Sequence, residues 1–201
     1  MLSIAESLQR FEQLHGDLCP GQLLGVRMAV LGCKLIGIED PRGFDEKKLI
    51  VWIEIDRWLA DAVESVTGVR LGKRNLKFLD YGKLAATFLN RENGEAVRIV
   101  ALESSRGLAN QRHPEIESKH LRQLQTYREA NDEELFGVTV VQAELDNLDA
   151  PGHPKSRVIC TSCGEEVNDG REVKARDESI KCRPCASSTN HLVARRGIAA
   201  S

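Results

Sequence analysis

Apolar and polar residues alternate with two different periods along the first 145 positions of the chain. Ile4, Leu8 and Phe11 recur at the three- to four-residue spacing of an amphipathic helix. The run 96–102 instead alternates residue by residue, which is typical of a half-buried strand. The whole pattern predicts helices over about 4–14, 20–36 and 114–130, a further helix that ends at Gly68, and strands over about 49–55, 75–79, 83–89, 96–102 and 136–145.

Turn and capping signals between these segments indicate the fold class. Asn93-Gly94 separates two predicted strands and favours a hairpin. Pro20 suits the first position of a helix, where its missing N–H would have no partner in any case. We therefore predict the α+β class, with helices packed on a mostly antiparallel sheet. The predicted organisation is a core domain over 1–148, a Pro- and Gly-containing linker over 149–157 and a zinc finger over 158–201.

Four cysteines near the end of the chain have the spacing of a metal site. Cys160 and Cys163 form one C-x-x-C pair, Cys182 and Cys185 form another, and 18 residues separate the pairs. Disulfides or a redox C-x-x-C are the alternatives, but this spacing is typical of a Cys₄ zinc site. Because the protein fills all four positions, we predict one structural zinc ion per chain, in a small domain of treble-clef type.

Composition excludes several classes of function. The net charge is −2 and aromatic residues make up 4% of the chain, which argues against nucleic acid as a partner. No apolar stretch approaches the roughly 18 residues of a membrane span. Six cysteines in a chain without a signal-peptide pattern indicate metal binding or catalysis in the cytoplasm rather than disulfides.

The segment from His15 to Gly21 is the part of the core richest in chemistry. Cys19 is expected at the start of a helix, where the helix dipole and free N–H groups favour a thiolate. His15 lies four residues earlier. The two could act as nucleophile and base, could ligate a metal, or could simply pack in a turn. Cys33 is expected to be a small buried hydrophobe, and His113 and His120 are expected to be solvated on a charged helix.

Several further motifs resemble one known family. They are His15-Gly16, Cys19-Pro20-Gly21, Gly25, Glu54, Asp56, Gly72-Lys73, Asn75-Leu76 and Asp80-Tyr81-Gly82-Lys83. In this order, over about residues 10–105, they resemble the formylmethanofuran dehydrogenase E-subunit family. The resemblance implies an α+β core that pairs as a homodimer. It also implies an association with molybdenum or tungsten enzymes that reduce carbon dioxide to a formyl group on methanofuran, as in methanogenesis.

The same resemblance implies a groove in the core and identifies where this chain departs from the family. The groove residues that it implies are Asp17, Glu54, Asp56, Lys73, Asn75, Tyr81 and Lys83, with Cys19 and His15 as the reactive pair. Asp17 stands where the family usually has a second histidine, and Trp58 and Val69 stand where it usually has cysteines. A site with three core cysteines is therefore excluded, and His15, Asp17 and Cys19 are left as candidates for a second metal.

These observations lead to one function hypothesis and two alternatives. We expect a metal-binding accessory protein that resembles the E-subunit family, with a structural zinc finger and a ligand or metal groove in the core. The alternatives are a stand-alone Cys/His enzyme and a regulatory protein whose zinc finger binds nucleic acid or another protein.

Overall fold

The structure is a computed structural model that describes residues 3–16, 18–176 and 178–187, with the backbone only at residues 14 and 15. The chain divides into two compact units, residues 1–144 and 145–201. The helices of the first unit are α1 Ile4–His15, α2 Pro20–Leu35, α3 Trp58–Thr67, α4 Ser104–Arg112, α5 Lys119–Glu129 and α6 Asp132–Leu135. Its strands are β1 Leu49–Ile53, β2 Leu76–Phe78, β3 Ala85–Asn90, β4 Ala96–Ala101 and β5 Phe136–Val140. Among the described helices, none is both long enough and apolar enough to cross a membrane.

The five strands of the first unit form one sheet in the order β2-β1-β3-β4-β5. The β1–β2 pair is parallel, because α3 carries the chain back to the same end of the sheet, and the other three pairs are antiparallel. The β3–β4 hairpin turns at Asn93-Gly94 with Gly94 at φ +78°, as predicted. The α+β prediction with a mostly antiparallel sheet is confirmed.

The central helix α2 packs against α3 and against strands β3 and β4. Two glycines allow this close approach. A Cβ atom at position 25 would lie 2.7 Å from the Cβ atom of Ala62 in α3. A Cβ atom at position 32 would lie 2.4 Å from the ring of the fully buried Phe88 in β3. Gly25, which belongs to the family motif, is therefore explained by helix packing.

The predicted ends of two elements were wrong. The helix expected over 114–130 begins at Lys119, with Ser118 as its N-cap, and the separate helix α4 precedes it. The sequence concealed α4 because only two of its residues, Ser105 and Ala109, are buried, so its apolar periodicity is weak. The strand expected over 136–145 ends at Val140, because its partner β4 begins at Ala96, opposite that end.

A buried arginine joins α2 to the segment that follows α5. Arg27 is 6% exposed, and its Nη1 donates to the carbonyl oxygens of Tyr127 and Ala130 at 2.6 and 2.7 Å. Its Nη2 pairs with Asp132 at 2.6 Å. The guanidinium thus satisfies backbone carbonyls at the C-terminal end of α5, where a positive charge also complements the helix dipole.

The second unit consists of two small hairpins and one helical turn. Its elements are a 3₁₀ turn Asn147–Asp149, strands β6 Arg157–Ile159, β7 Glu166–Asn168, β8 Glu172–Lys174 and β9 Ile180–Cys182, and helix α7 Arg183–Ala186. The segment expected to be a linker is held against these hairpins. The backbone N–H of Lys155 donates to Asp169 at 2.7 Å, and Ser156 Oγ accepts from the N–H of Gly170 at 3.0 Å.

Candidate metal centre and core groove

The second unit brings its four cysteine sulfurs together. The Sγ atoms of Cys160, Cys163, Cys182 and Cys185 all lie within 4.8 Å of one another, and those of Cys163 and Cys182 are 3.9 Å apart. Four sulfurs at about 2.3 Å from one zinc ion would be about 3.8 Å apart at the corners of a regular tetrahedron. The donor set and its spacing therefore fit a tetrahedral metal ion, and a small shift of the side chains would close the site around it.

Local backbone structure positions these sulfurs. The first pair lies in the β6–β7 turn, where Gly164 has φ +74° and donates its N–H to the carbonyl of Cys160 at 2.9 Å. The second pair begins at the end of β9 and continues into α7, with Pro184 in the first turn and Cys185 inside the helix. Both features were predicted. Backbone N–H groups of Cys182 and Cys163 donate to the sulfur of Cys160 and lower the pKa of that thiol to about 6.

The second unit has little else to hold it together. Its described apolar cluster consists of Cys160, Val167 and Cys182, with Val158 packed against them. Each of its strands has only three residues. A module of this size usually needs a metal or disulfides to fold, and all six cysteines of the chain are free thiols.

The first unit contains an open groove of about 510 Å³ at the N-terminal end of α2. Cys19 and Trp58 lie in one wall, and residues of α4 and α5 form the opposite side. The described residues that line this groove are Cys19, Pro20, Gly21, Leu24, Trp58, Leu84, Ala101, Leu102, Glu103, Ser105, Arg106, Lys119, His120, Gln123 and Tyr127.

Cys19 is the N-cap of α2, as predicted. Its sulfur accepts the N–H of Gln22 at 3.4 Å, and the Gln22 side chain accepts the N–H of Cys19 at 2.6 Å. The thiol therefore lies beside the free amide groups of a 16-residue helix and faces the groove. Its predicted partners, the side chains of His15 and Asp17, lie outside the described residues.

Three of the other predicted groove residues take part in bonds within the protein. Glu54 is 4% exposed, and its two carboxylate oxygens accept from Arg98 Nε and Nη2 at 2.6 and 2.7 Å. Asn75 is buried and accepts the backbone N–H of Arg70 at 2.8 Å. Lys73 pairs with Glu46. None of the three is among the described residues that line the groove.

The remaining predicted groove residues are exposed outside this groove. Asp56 follows β1, and Tyr81 and Lys83 lie on the turn between β2 and β3, where the Lys83 ammonium is 6.0 Å from the centre of the Tyr81 ring. Of the predicted core residues with described side chains, the structure brings only Cys19 to the groove.

Sequence reasoning missed several residues of the groove. Trp58, at a position where the family usually has cysteine, is the first residue of α3, 56% exposed beside Gly21. Lys119 and His120 follow the N-cap of α5, and that boundary was the signal that could have placed them together. Val69, the other departure from the family, is 1% exposed and packs in the core.

Two predictions for residues outside the site had different outcomes. Cys33 is fully buried, as predicted, and burial raises the pKa of its thiol to about 12. His113 was expected to be solvated, but its ring nitrogens lie 2.9 Å from Glu129 and 3.2 Å from Glu115. The hydrogen bond with Glu129 is the main cause that raises the pKa of His113. The prediction was wrong because the separate helix α4 ends at this residue and directs it toward α5.

The fold and the cysteine cluster define a two-unit protein with an α+β core and a metal-binding module. Residues 14–155 match the family described as FmdE, molybdenum formylmethanofuran dehydrogenase operon. The chain therefore belongs to the FmdE family, which confirms the resemblance that its motifs indicated.

Two individual proteins are similar to the chain. It is 36% identical over 93 residues to a probable S-adenosyl-L-methionine-binding protein of Archaeoglobus fulgidus. That match covers 46% of this chain but only 25% of the relative, so the chain spans about a quarter of the relative's length. An FmdE-like protein of tungsten formylmethanofuran dehydrogenase from Syntrophus aciditrophicus has a similar crystal structure, with a TM-score of 0.61 and 22% identity over 95% of this chain and 96% of the other. At this identity the similarity establishes the fold.

Proposed function

We propose that the chain is a metal-binding accessory protein of the FmdE family, in which one zinc ion holds the second unit together. The observation that carries this proposal is the cluster of four cysteine sulfurs within 4.8 Å of one another. Four protein ligands leave no position for a substrate or water, so the zinc has a structural role. The order of knuckle, hairpin and helical turn supports our interpretation of the module as a treble-clef finger.

Metal analysis of the purified chain tests this proposal. We expect one zinc per chain in the native protein and none in Cys182→Ser, whose second unit should unfold because metal binding and folding are coupled in such modules. Cys19→Ser is the matched control, since it removes a thiol of the first unit and should keep the zinc. A full equivalent of zinc in Cys182→Ser would contradict the proposal.

The second part of the proposal is that the groove beside Cys19 binds a small ligand. Its volume of about 510 Å³ is within the usual range for a ligand site, and polar and apolar side chains both line it. A second metal at His15, Asp17 and Cys19 is the alternative, and the same analysis distinguishes the two. Two metal ions in the native protein, of which Cys19→Ser loses one, would favour the metal.

We further propose that the chain acts with molybdenum or tungsten formylmethanofuran dehydrogenase subunits in one-carbon metabolism. Membership of the FmdE family supports this, and so does the description of the Syntrophus protein that shares the fold. Six free thiols favour a reducing compartment, hence the cytoplasm. Affinity purification of the tagged chain from its own cells should recover such subunits. Their absence after crosslinking would contradict the assignment.

A homodimer is the remaining part of the proposal. Both edges of the sheet carry exposed apolar side chains, with Phe78 41% exposed on β2 and Val138 and Val140 46% and 83% exposed on β5. Such side chains on an unpaired edge favour contact with another chain. Sedimentation at micromolar concentration should yield twice the chain mass of 22.3 kDa, and a monomer would reject this part.

A further inference from the structure

The side of the groove opposite Trp58 carries positive charges that the protein does not neutralise. Lys119 and His120 are exposed in the first turn of α5 and have no carboxylate partner among the described residues. Arg106, also in the wall, pairs with Glu103 at 3.3 Å, so that the only described carboxylate in the groove is already engaged by a cation. The remaining charge in the groove is therefore positive.

A buried hydroxyl in the same groove lacks a good partner. Tyr127 is 2% exposed, and its hydroxyl has only a long contact of 3.4 Å to Ser105 Oγ. Ser105 directs its own proton to the carbonyl of Leu102 at 2.7 Å. Because a 3.4 Å contact is at the limit of a hydrogen bond, the phenol retains a donor for an acceptor in the groove. Arg27 holds the Tyr127 backbone from behind, so this side chain has a defined position.

Backbone donors point to the same region. The first turns of α2, α4 and α5 all contribute residues to the groove wall. These helices have 16, 9 and 11 residues, and the N–H groups of their first turns have no partners within the helix. Three such ends around one cavity add a favourable field for an anion to the two side-chain cations.

The Trp58 wall has a different chemistry. The Trp58 ring is 56% exposed, and Leu24, Leu84 and Ala101 continue the apolar part of the lining. An exposed indole beside aliphatic side chains suits a flat or apolar group, which it can contact at little cost in side-chain entropy.

We propose that the groove binds a small organic anion, a carboxylate or phosphate joined to a flat or apolar group. The anionic group lies against Lys119, His120 and the Tyr127 hydroxyl, and the apolar group lies against Trp58. This inference rests on the proposed function of the groove as a ligand site and specifies the chemistry of its ligand.

Titration calorimetry of the zinc-loaded full chain with three probes tests this inference. Phenyl phosphate and benzoate carry the two kinds of anion, and benzyl alcohol is the neutral analogue. The test variant is the double substitution Lys119→Gln/His120→Gln. Lys34→Gln is the matched control, since Lys34 is exposed at the far end of α2, about 22 Å along the helix from Cys19.

We expect at least one anion to bind with one molecule per chain, more tightly than benzyl alcohol and less tightly at high salt. The double variant should weaken that binding by about tenfold or more, because it removes two charge-assisted contacts. Lys34→Gln should leave it unchanged. Tighter binding of phenyl phosphate would assign a phosphate ligand, and tighter binding of benzoate a carboxylate. Amide shifts in NMR spectra should map to Gly21, Ser105 and His120.

Two results would overturn the inference and would differ in what they leave standing. If benzyl alcohol binds as tightly as the anions, with shifts around Trp58, the groove is a ligand site but not an anion site. If none of the three probes saturates the groove, the inference and the ligand role of the groove both fail. The zinc proposal is independent of either result.

Discussion

Replacing Glu54 by glutamine tests whether this family-motif residue stabilises the core rather than serving the groove. The carboxylate is 4% exposed and makes two hydrogen bonds to Arg98, whose side chain is 30% exposed. Glu54→Gln keeps the shape but removes the charge and one of the two acceptors, so the guanidinium loses its counter-ion. The hydrogen bond from Glu54 is also the main cause that raises the pKa of Arg98.

The magnitude follows from the burial of the pair. Removing one partner of a fully buried ion pair costs about 3–5 kcal/mol. Because Arg98 keeps access to solvent, we expect Glu54→Gln to lower the free energy of unfolding by about 2 kcal/mol. The double variant Glu54→Leu/Arg98→Met leaves no unpaired charge, and its loss should be smaller than the sum of the two single losses by about 1 kcal/mol or more.

Urea unfolding followed by tryptophan fluorescence is the appropriate assay. Both tryptophans, Trp52 and Trp58, belong to the first unit, so the signal reports the core and not the zinc module. Glu64→Gln is the control, since the Glu64–Arg70 pair at 2.9 Å is exposed and should contribute less than about 0.5 kcal/mol. If Glu54→Gln costs no more than this control, or if it weakens ligand binding without loss of stability, the structural role of Glu54 is refuted.

Three further predictions concern single residues of the first unit. Iodoacetamide at pH 8 should alkylate Cys19 much faster than Cys33, because a pKa of about 12 leaves about one thiol in ten thousand ionised and burial blocks access, and mass spectrometry of peptides should show this order. The raised pKa of His113 should make the stability advantage of the native protein over His113→Gln largest below about pH 6.5 and smaller as the pH rises through the folded-state pKa, as seen in melting temperatures. Gly32→Ala should destabilise the core by about 1–3 kcal/mol in urea, because its Cβ atom would overlap the Phe88 ring.

Each of these predictions has a contrary result. Faster alkylation of Cys33 than of Cys19 would show that the core opens readily and that Cys19 is packed. A stability difference for His113→Gln that grows with pH would have the wrong sign for a histidine stabilised as a cation. A neutral or stabilising effect of Gly32→Ala would show that α2 can move away from the sheet without loss.

Local chemistry in the sequence was sufficient for the metal module and for several boundaries of elements. The spacing of Cys160, Cys163, Cys182 and Cys185 predicts the sulfur cluster, because two short turns bring each pair together with few degrees of freedom. Caps and turns behave in the same way. Cys19-Pro20 at the start of α2 and Asn93-Gly94 in the β3–β4 hairpin depend on residues within four positions of each other, so their structure is readable from the chain.

Tertiary structure alone decided how the groove is built and which motif residues are excluded from it. Glu54 and Arg98 are 44 positions apart, and no local pattern predicts that the sheet brings them together as a pair. Lys119 reaches the groove beside Cys19 because α4 is a separate helix and α5 begins late, whereas the weak apolar periodicity of α4 concealed that boundary. A sequence can encode a ligand site made from three helix ends, but the site becomes visible only when packing of the sheet and helices places those ends around one cavity.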